Sequence, residues 1–181
     1  MRLDIHTAKR EEAAAISRIY AASWRQAYRG MVPQHYLDEL PDSHWTEALG
    51  RWIDDPEVSV AAAYLDGTPV GGVVYRVSQR RELPGCLVSA AAQVLDGWGE
   101  VVSLYVRPDA WRRGCGGAML RHAAAELSAA SCEGGFLWVL RENLPARRFY
   151  ESNGWSDDGA TCTVELAGVP LTDLRYRQNW K

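Results

Sequence analysis

The sequence is poor in the residue patterns that mark metal sites and disulfide frameworks. Its four cysteines lie far apart and form no CxxC pair, and its four histidines show no HxxxH spacing. Neither a zinc site nor a catalytic metal is therefore expected. The simplest interpretation of the cysteines is four free thiols in a reducing compartment.

Long apolar runs are missing as well. No run approaches the roughly 20 residues that a membrane-spanning helix requires, and residues 1–5 lack the apolar segment of a signal peptide. We therefore expect a cytoplasmic protein that does not enter the membrane. The net charge is −3 with acidic and basic residues interspersed. This argues against nucleic acid as a partner, because binding it normally requires a basic patch or stripe.

The composition that is present fits a single globular domain over residues 1–181. A chain of this length can bury a core. With 47% hydrophobic and 24% charged residues, it is ordinary for a soluble domain. We find no internal repeat and no low-complexity tract.

Hydrophobic periodicity divides the chain into strands and helices. Runs with strand character span residues 2–6, 58–65, 69–77, 101–106, 136–140, 161–166 and 171–177. Helical spacing covers residues 11–28, 42–53, 119–130 and 145–152. Turn signals at Asp66-Gly67 and Ala167-Gly168 predict two hairpins. The order indicates a mixed α/β sheet covered by helices, with residues 78–99 as a long functional or mobile loop.

A glycine-rich turn between the strand at 101–106 and the next helix is a candidate anion site. The first N–H groups of a helix lack intrahelical partners, and the helix dipole adds partial positive charge there. Glycines let a diphosphate approach the backbone closely, and arginines add charge-assisted donors. The residues of this turn are Arg112, Arg113, Gly114, Cys115, Gly116 and Gly117.

Other interpretations of the turn are open at this point. The glycines could only tighten the turn. A dinucleotide fingerprint matches Gly114 and Gly116 but has Met119 at its third glycine position, and the roughly 65 residues that follow are too few for that fold. A Walker phosphate loop is excluded, because no Gly-Lys-Ser/Thr follows.

With these residues the sequence resembles the GCN5-related N-acetyltransferase (GNAT) family. That family carries Arg/Gln-x-x-Gly-x-Gly/Ala between a strand and a helix, and the backbone amides of the turn hold the coenzyme A diphosphate. Gly114 and Gly116 match, whereas Trp111 replaces the usual Arg or Gln, which removes one polar contact and keeps the backbone cradle. A second family motif is matched in order and spacing by Asn143, Ala146, Phe149, Tyr150, Gly154 and Trp155.

The resemblance covers residues 2–177 and implies the GNAT acyl-CoA N-acyltransferase fold, in which helices flank a mixed, mostly antiparallel sheet. It implies direct transfer of the acetyl group from acetyl-CoA, as co-substrate, to an amine of a small molecule or protein, without a metal. Paired dimers are frequent in this fold, so a homodimer is an expected alternative to a monomer. Two other functions stay open, a catalytically silent acyl-CoA sensor and a nucleotide-linked redox domain.

Acetyl transfer requires a neutral amine, donors for the oxyanion and a proton for the departing thiolate. The resemblance places the Tyr150 hydroxyl near the coenzyme A sulfur as the acid, the alternative being a core aromatic. Glu100 has the spacing of the catalytic glutamate in the histone-modifying branch and is the candidate base. Its alternative is an exposed residue entering a strand, with water as the base.

Further residues are assigned through the same resemblance. The backbone of Leu104, Tyr105 and Val106 is expected to bond the pantetheine arm like another strand. Asn143 either holds that arm or caps the following helix. Cys115 fills space in the turn or forms a mixed disulfide with oxidised coenzyme A.

The acceptor amine is expected to contact aromatic residues of the first two helices and the 78–99 loop. The candidates are Trp24, Tyr28 and Tyr36. Trp24 and Tyr28 lie one helical turn apart and share a face, which core packing explains equally well. Aromatic walls suit an apolar amine, an aminoglycoside-like polyamine or a peptide end.

Overall fold

The computed structural model describes residues 2–78, 87–88 and 95–180. Its strands are β1 (Leu3–Thr7), β2 (Ser59–Leu65), β3 (Thr68–Val77), β4 (Leu87–Val88), β5 (Gly99–Val106), β6 (Gly134–Leu140), β7 (Ser156–Leu166) and β8 (Val169–Asn179). Its α-helices are α1 (Ala13–Ala27), α2 (Gln34–Glu39), α3 (Thr46–Asp54), α4 (Cys115–Ala129) and α5 (Leu144–Ser152). Short 3-10 turns occur at Arg10–Glu12 and Pro108–Ala110.

The strands form one sheet in the order β1-β2-β3-β5-β6-β8-β7-β4. Of the strand pairs in the described part of the chain, β5 and β6 are parallel and all others are antiparallel. The predicted mixed, mostly antiparallel sheet flanked by helices is therefore confirmed.

Helices pack on both faces of the sheet, and two glycines of β3 allow their close approach. A Cβ added at Gly71 would lie 2.6 Å from the Met119 Cε of α4, and one added at Gly72 would lie 2.7 Å from the Ile16 Cγ2 of α1. Helix α4 and the residues under it form the larger core cluster, while α1 and α3 cover the opposite face of β2 and β3.

Both predicted hairpins are present. Asp66 and Gly67 have φ values of 49° and 79°, and Ala167 and Gly168 have 51° and 78°. Positive φ at both central residues matches the right-handed twist of the flanking strands. A residue with a short polar side chain or none is favoured there.

The second predicted helix, 42–53, begins later than expected. Asp42 is held outside the helix, because its carbonyl accepts a bond from Ser17 Oγ at 2.6 Å and its carboxylate pairs with Arg25. Helix α3 therefore starts at Thr46. The six-residue α2 was not predicted, since so short a segment shows little periodicity. In the predicted 78–99 loop, β4 pairs with β7, and residues 79–86 and 89–94 lie outside the described part.

The prediction of four free thiols is wrong, as Cys162 shows. Cys115 is a free, buried thiol, whereas Cys162 on β7 is disulfide-bonded. Spacing along the chain does not report which thiols tertiary structure brings together. Within the described ranges, no helix is long and apolar enough to cross a membrane.

Candidate active site

An opening between β5 and β6 is the central feature of the candidate site. The two strands pair only at Gly99↔Gly135 and Glu100↔Phe136. A β-bulge follows at once in β5, where Val102 is an extra residue between the pairs Val101↔Tyr75 and Ser103↔Val74. Because a bulge bends its strand and increases the twist, β5 diverges from β6 beyond this point.

The backbone of β5 alternates between its neighbour β3 and this opening. Arg107 N–H donates to the Val70 carbonyl at 2.7 Å, so Gly72↔Tyr105 is the next hydrogen-bonded pair of the ladder. The peptide groups of Leu104 and Val106 therefore face the opening, while those of Tyr105 belong to the sheet. This corrects the expectation that all three backbones can bond one ligand. The Val106 carbonyl also accepts a bond from Trp111 Nε1 at 2.6 Å.

The glycine-rich turn leads into α4 at the end of β5. Gly114 has φ 83°, a left-handed conformation that favours glycine, and precedes the first helical residue. The first bond of the helix runs from Ala118 N–H to the Gly114 carbonyl at 3.1 Å. The N–H groups of Cys115, Gly116 and Gly117 have no backbone acceptor in the described chain. Together they form a concave row of donors.

The side chains of the turn divide into two kinds. Arg112, at φ 60°, and Arg113 are exposed. Cys115 is only 1% exposed and packs in the core under α4. The Cys115 side chain therefore fills space, which was one of its two predicted roles. Its backbone N–H is the group that can bond a ligand.

Asn143 is the N-cap of α5. Its Oδ1 accepts a hydrogen bond from Ala146 N–H at 3.2 Å, and the residue is buried. The capping role is thus present. Its amide Nδ2 makes no bond to another described residue and is available to a ligand.

An aromatic cluster lines the side of the opening that faces α1. The ring centroids of Trp24 and Tyr28 lie 4.5 Å apart, and those of Tyr20 and Tyr105 lie 4.7 Å apart. The Tyr28 and Tyr105 hydroxyls are 3.3 Å from each other. Tyr36 lies on α2 and makes no ring contact with the described aromatics. The structure therefore brings two of the three predicted acceptor residues together.

The Trp24 indole nitrogen stands out within this cluster. Of the described buried side-chain polar atoms, only Trp24 Nε1 lacks a hydrogen-bond partner. Burial raises the pKa of the Tyr105 hydroxyl, and the nearby Tyr28 and Trp24 donors partly lower it. Trp24 therefore approaches the Tyr105 hydroxyl without forming a bond of normal geometry.

Tyr150 lies on α5, with its ring centroid 5.1 Å from that of Phe149 and 6.4 Å from that of Tyr176. Its side chain is partly buried, and its hydroxyl bonds no other described residue. Burial, followed by the neighbouring Tyr105, raises the pKa of the Tyr150 hydroxyl. The group is therefore protonated at neutral pH and can donate, as an acid must.

Glu100 sits at the closed end of the opening, at the last residue pair between β5 and β6. It is 7% exposed, so the alternative of an exposed residue entering a strand is wrong. Arg76 Nε and Nη2 both contact its Oε2, at 2.8 and 2.7 Å. This buried ion pair occupies one carboxylate oxygen of Glu100 and fixes the side chain of the predicted base against β3.

Asp173 on β8 is a carboxylate that the sequence analysis missed. It lies opposite Leu140 of β6 and is partly buried. Burial, followed by the charge of Glu142, raises the pKa of its carboxyl to about 6. In the sequence, Asp173 is one polar residue of an alternating strand, and nothing local indicates that its face is covered.

The described acidic, histidine and cysteine side chains form no metal-binding arrangement. In the ranges the structure covers, no group of three or more such residues could hold a metal ion.

The chain belongs to the acetyltransferase (GNAT) family, whose members it matches over residues 15–155. It is 26% identical over 170 residues to the uncharacterized N-acetyltransferase YuaI of Bacillus subtilis, covering 94% of this chain and 89% of that one. It is 25% identical over 176 residues to a probable N-acetyltransferase of Mycobacterium tuberculosis, covering 96% and 91%. The fold is similar to that of the PaiA N-acetyltransferase of Thermoplasma acidophilum, solved in complex with coenzyme A, with a TM-score of 0.75, 17% identity and coverage of 99% of this chain and 100% of that one.

Proposed function

We propose that this acetyltransferase moves the acetyl group of acetyl-CoA directly to an amine of a small molecule or protein. The observation that carries the proposal is the opening between β5 and β6, with the N–H row of α4 at one end and the Tyr150 hydroxyl beside it. An extended thioester substrate fits this arrangement. It needs a site for its diphosphate and, next to it, a strand-like edge for its pantetheine arm.

The residues suit the parts of acetyl-CoA in turn. The N–H groups of Cys115, Gly116 and Gly117 and the flanking Arg112 and Arg113 suit its diphosphate. The Leu104 and Val106 peptide groups suit the pantetheine amides, as does the free amide of Asn143. Support comes from the fold neighbour of Thermoplasma acidophilum, which was solved in complex with coenzyme A.

The chemistry assigned to Tyr150 follows from its surroundings. When the amine attacks the thioester carbon and the carbon–sulfur bond breaks, the departing thiolate needs a proton. A phenol whose pKa is raised by burial stays protonated and can donate a hydrogen bond to the departing sulfur. Transfer of its proton to the thiolate is completed when the new amide nitrogen gives its own proton to the Tyr150 oxygen.

Calorimetric titration with acetyl-CoA tests the cofactor assignment. Gly116→Val should weaken binding, because its side chain would project at the donor row and its Cβ would lie 3.3 Å from the Phe149 ring. Gly50→Ala is the matched control, since a Cβ there meets the Arg10 side chain at an ordinary 3.5 Å, on α3. Unchanged affinity in folded Gly116→Val protein would overturn the assignment.

Release of the coenzyme A thiol with an amine panel tests the reaction. The panel contains tyramine, spermidine and a lysine peptide, which present an aromatic amine, a polyamine and a protein-like amine. Turnover of at least one is expected. Tight acetyl-CoA binding without turnover of any amine would favour the catalytically silent sensor.

A further inference from the structure

Asp173 has a defined orientation in the sheet. Its neighbours on β8, Leu174 and Tyr176, are buried in the core under α4. Since side chains alternate along a strand, Asp173 points to the opposite face, on which Tyr105 packs against Tyr20 of α1. Asp173 therefore shares a face with the aromatic cluster.

The surroundings of Asp173 contain phenols and one further carboxylate. Tyr28 after α1 and Tyr105 on β5 both interact electrostatically with it. Glu142 follows β6, and Cys162 lies opposite on β7. Arg175, two residues along β8, is bonded to Asp158 at 2.8 Å.

No described residue forms a hydrogen bond or ion pair with Asp173. A partly buried carboxylate without a counter-charge is costly unless a ligand supplies one. Trp24 Nε1 is buried beside Tyr105 and makes no hydrogen bond of normal geometry, so it is a second polar group of the same cluster that is not fully satisfied. Native proteins rarely leave such groups unsatisfied, so both are available to bond a polar ligand.

The tyrosines link Asp173 to the predicted acid. Tyr28 and Tyr105 interact electrostatically with Asp173, and each also interacts with Tyr150. Their two hydroxyls lie 3.3 Å apart, so the two phenols and both acidic groups belong to one neighbourhood. Glu100, in contrast, is held by Arg76.

We propose that Asp173, and not Glu100, receives the ammonium group of the acceptor and removes its proton. This inference rests on the proposed function and names the base of the same site. The rings of Trp24, Tyr28 and Tyr105 present faces that attract a cation. The acceptor class is therefore a cationic primary amine whose body contacts aromatic walls.

The proton transfers balance as follows. Asp173 carboxylate takes one proton from the ammonium, which leaves a neutral amine with a lone pair. The amine nitrogen bonds the acetyl carbon, the carbon–sulfur bond breaks, and the sulfur takes the Tyr150 proton. The new amide nitrogen then gives one of its two protons to the Tyr150 oxygen, which restores the phenol. Asp173 gives its proton to solvent. One acetyl-CoA and one ammonium yield one amide, one thiol and one proton.

The pH dependence of kcat/KM, measured with the amine that the panel identifies, tests this role. Burial and Glu142 raise the Asp173 pKa to about 6, so the carboxylate is charged above that pH. In the wild type, kcat/KM should rise about tenfold per pH unit below 6 and level off above it. Asp173→Asn should lower kcat at pH 7 by about 10²–10⁴-fold. Its kcat/KM should no longer level off near pH 6 but continue to rise toward the pKa of the amine, about 10.

Two further variants separate a catalytic role from a structural one. Glu142→Gln is the control, because removing the neighbouring like charge should move the rise to lower pH and leave it intact. Glu100→Gln should leave the rise near pH 6. Asp173→Asn with wild-type rate and pH profile, or a Glu100→Gln profile that no longer levels off near pH 6, would overturn the inference.

A direct measurement covers the case in which no panel amine is turned over. In protein labelled with ¹³C at aspartate carboxyls, one resonance should titrate near pH 6, be absent in Asp173→Asn and shift when tyramine is added. No response to tyramine or spermidine would refute the role of Asp173. Calorimetry with acetyl-CoA distinguishes failure of the Asp173 proposal from failure of the proposed function. If only the Asp173 proposal is wrong, both the wild type and Asp173→Asn should still bind acetyl-CoA.

Discussion

Asp173→Asn should make the protein more stable at neutral pH while lowering its activity. The carboxyl has a pKa of about 6 in the folded protein against an ordinary value of 3.8. The folded state therefore binds the proton more tightly than the unfolded chain. Stability is then highest at low pH and decreases as pH rises through the window from about 4 to 6, because folding opposes ionisation of this group.

The size of the effect follows from the difference between the two pKa values. A shift of roughly two units corresponds to about 3 kcal/mol at pH 7, at 1.36 kcal/mol per unit. Since the group is partly exposed, we expect about 2–3 kcal/mol. For a domain of this length, that is a rise in Tm of about 5–10 °C. At pH 4 the folded state is protonated and roughly half of the unfolded chains are too, so the advantage should fall below about 1 kcal/mol.

Urea unfolding of the wild type and Asp173→Asn at pH 4, 5, 6 and 7 measures this dependence. The two curves should converge toward low pH. Glu142→Gln should stabilise in the same direction by less, since it removes only the smaller contribution to the raised pKa. An advantage of the asparagine variant that is equal at all four pH values would refute the reasoning and indicate a packing effect.

Two more predictions concern the acid and the core. Tyr150→Phe keeps the ring, so acetyl-CoA binding measured by calorimetry should persist while kcat falls by about 10²–10⁴-fold; a kcat within twofold of wild type would leave Tyr150 with a packing role alone. Gly71→Ala should lower the free energy of unfolding by about 1–3 kcal/mol, because its Cβ would lie 2.6 Å from Met119 Cε. Gly50→Ala is the control and should be neutral or stabilising, and equal urea midpoints for the two variants would contradict the packing argument.

Local features of the chain were predictable from the residues alone. The two hairpins follow from Asp66-Gly67 and Ala167-Gly168, whose backbone preferences act within four residues. The glycine turn likewise predicts that a helix follows it, although α4 starts at Cys115, four residues before the predicted helical spacing of 119–130. Motif spacing, read through the family resemblance, identified the acetyltransferase fold because its signature residues are close together in sequence.

Partners and burial depend on residues distant in sequence, and these were predicted less well. Glu100 appeared to be a free strand-end carboxylate, yet Arg76 reaches it across the β3–β5 ladder. Cys162 appeared to be a thiol and is disulfide-bonded. Tyr105 was assigned through its backbone, but the register with Gly72 turns that backbone into the sheet and leaves its ring at the opening.

Asp173 shows the limit most clearly. The alternation of side chains along β8 puts Asp173 on the face opposite Leu174 and Tyr176, and this follows from the sequence pattern alone. Whether that face meets water or aromatic rings depends on α1 and β5, more than sixty residues earlier in the chain. A pKa is set by the neighbours of a group in space, so the property that makes this carboxylate a base arises only when the sheet and the first helix come together.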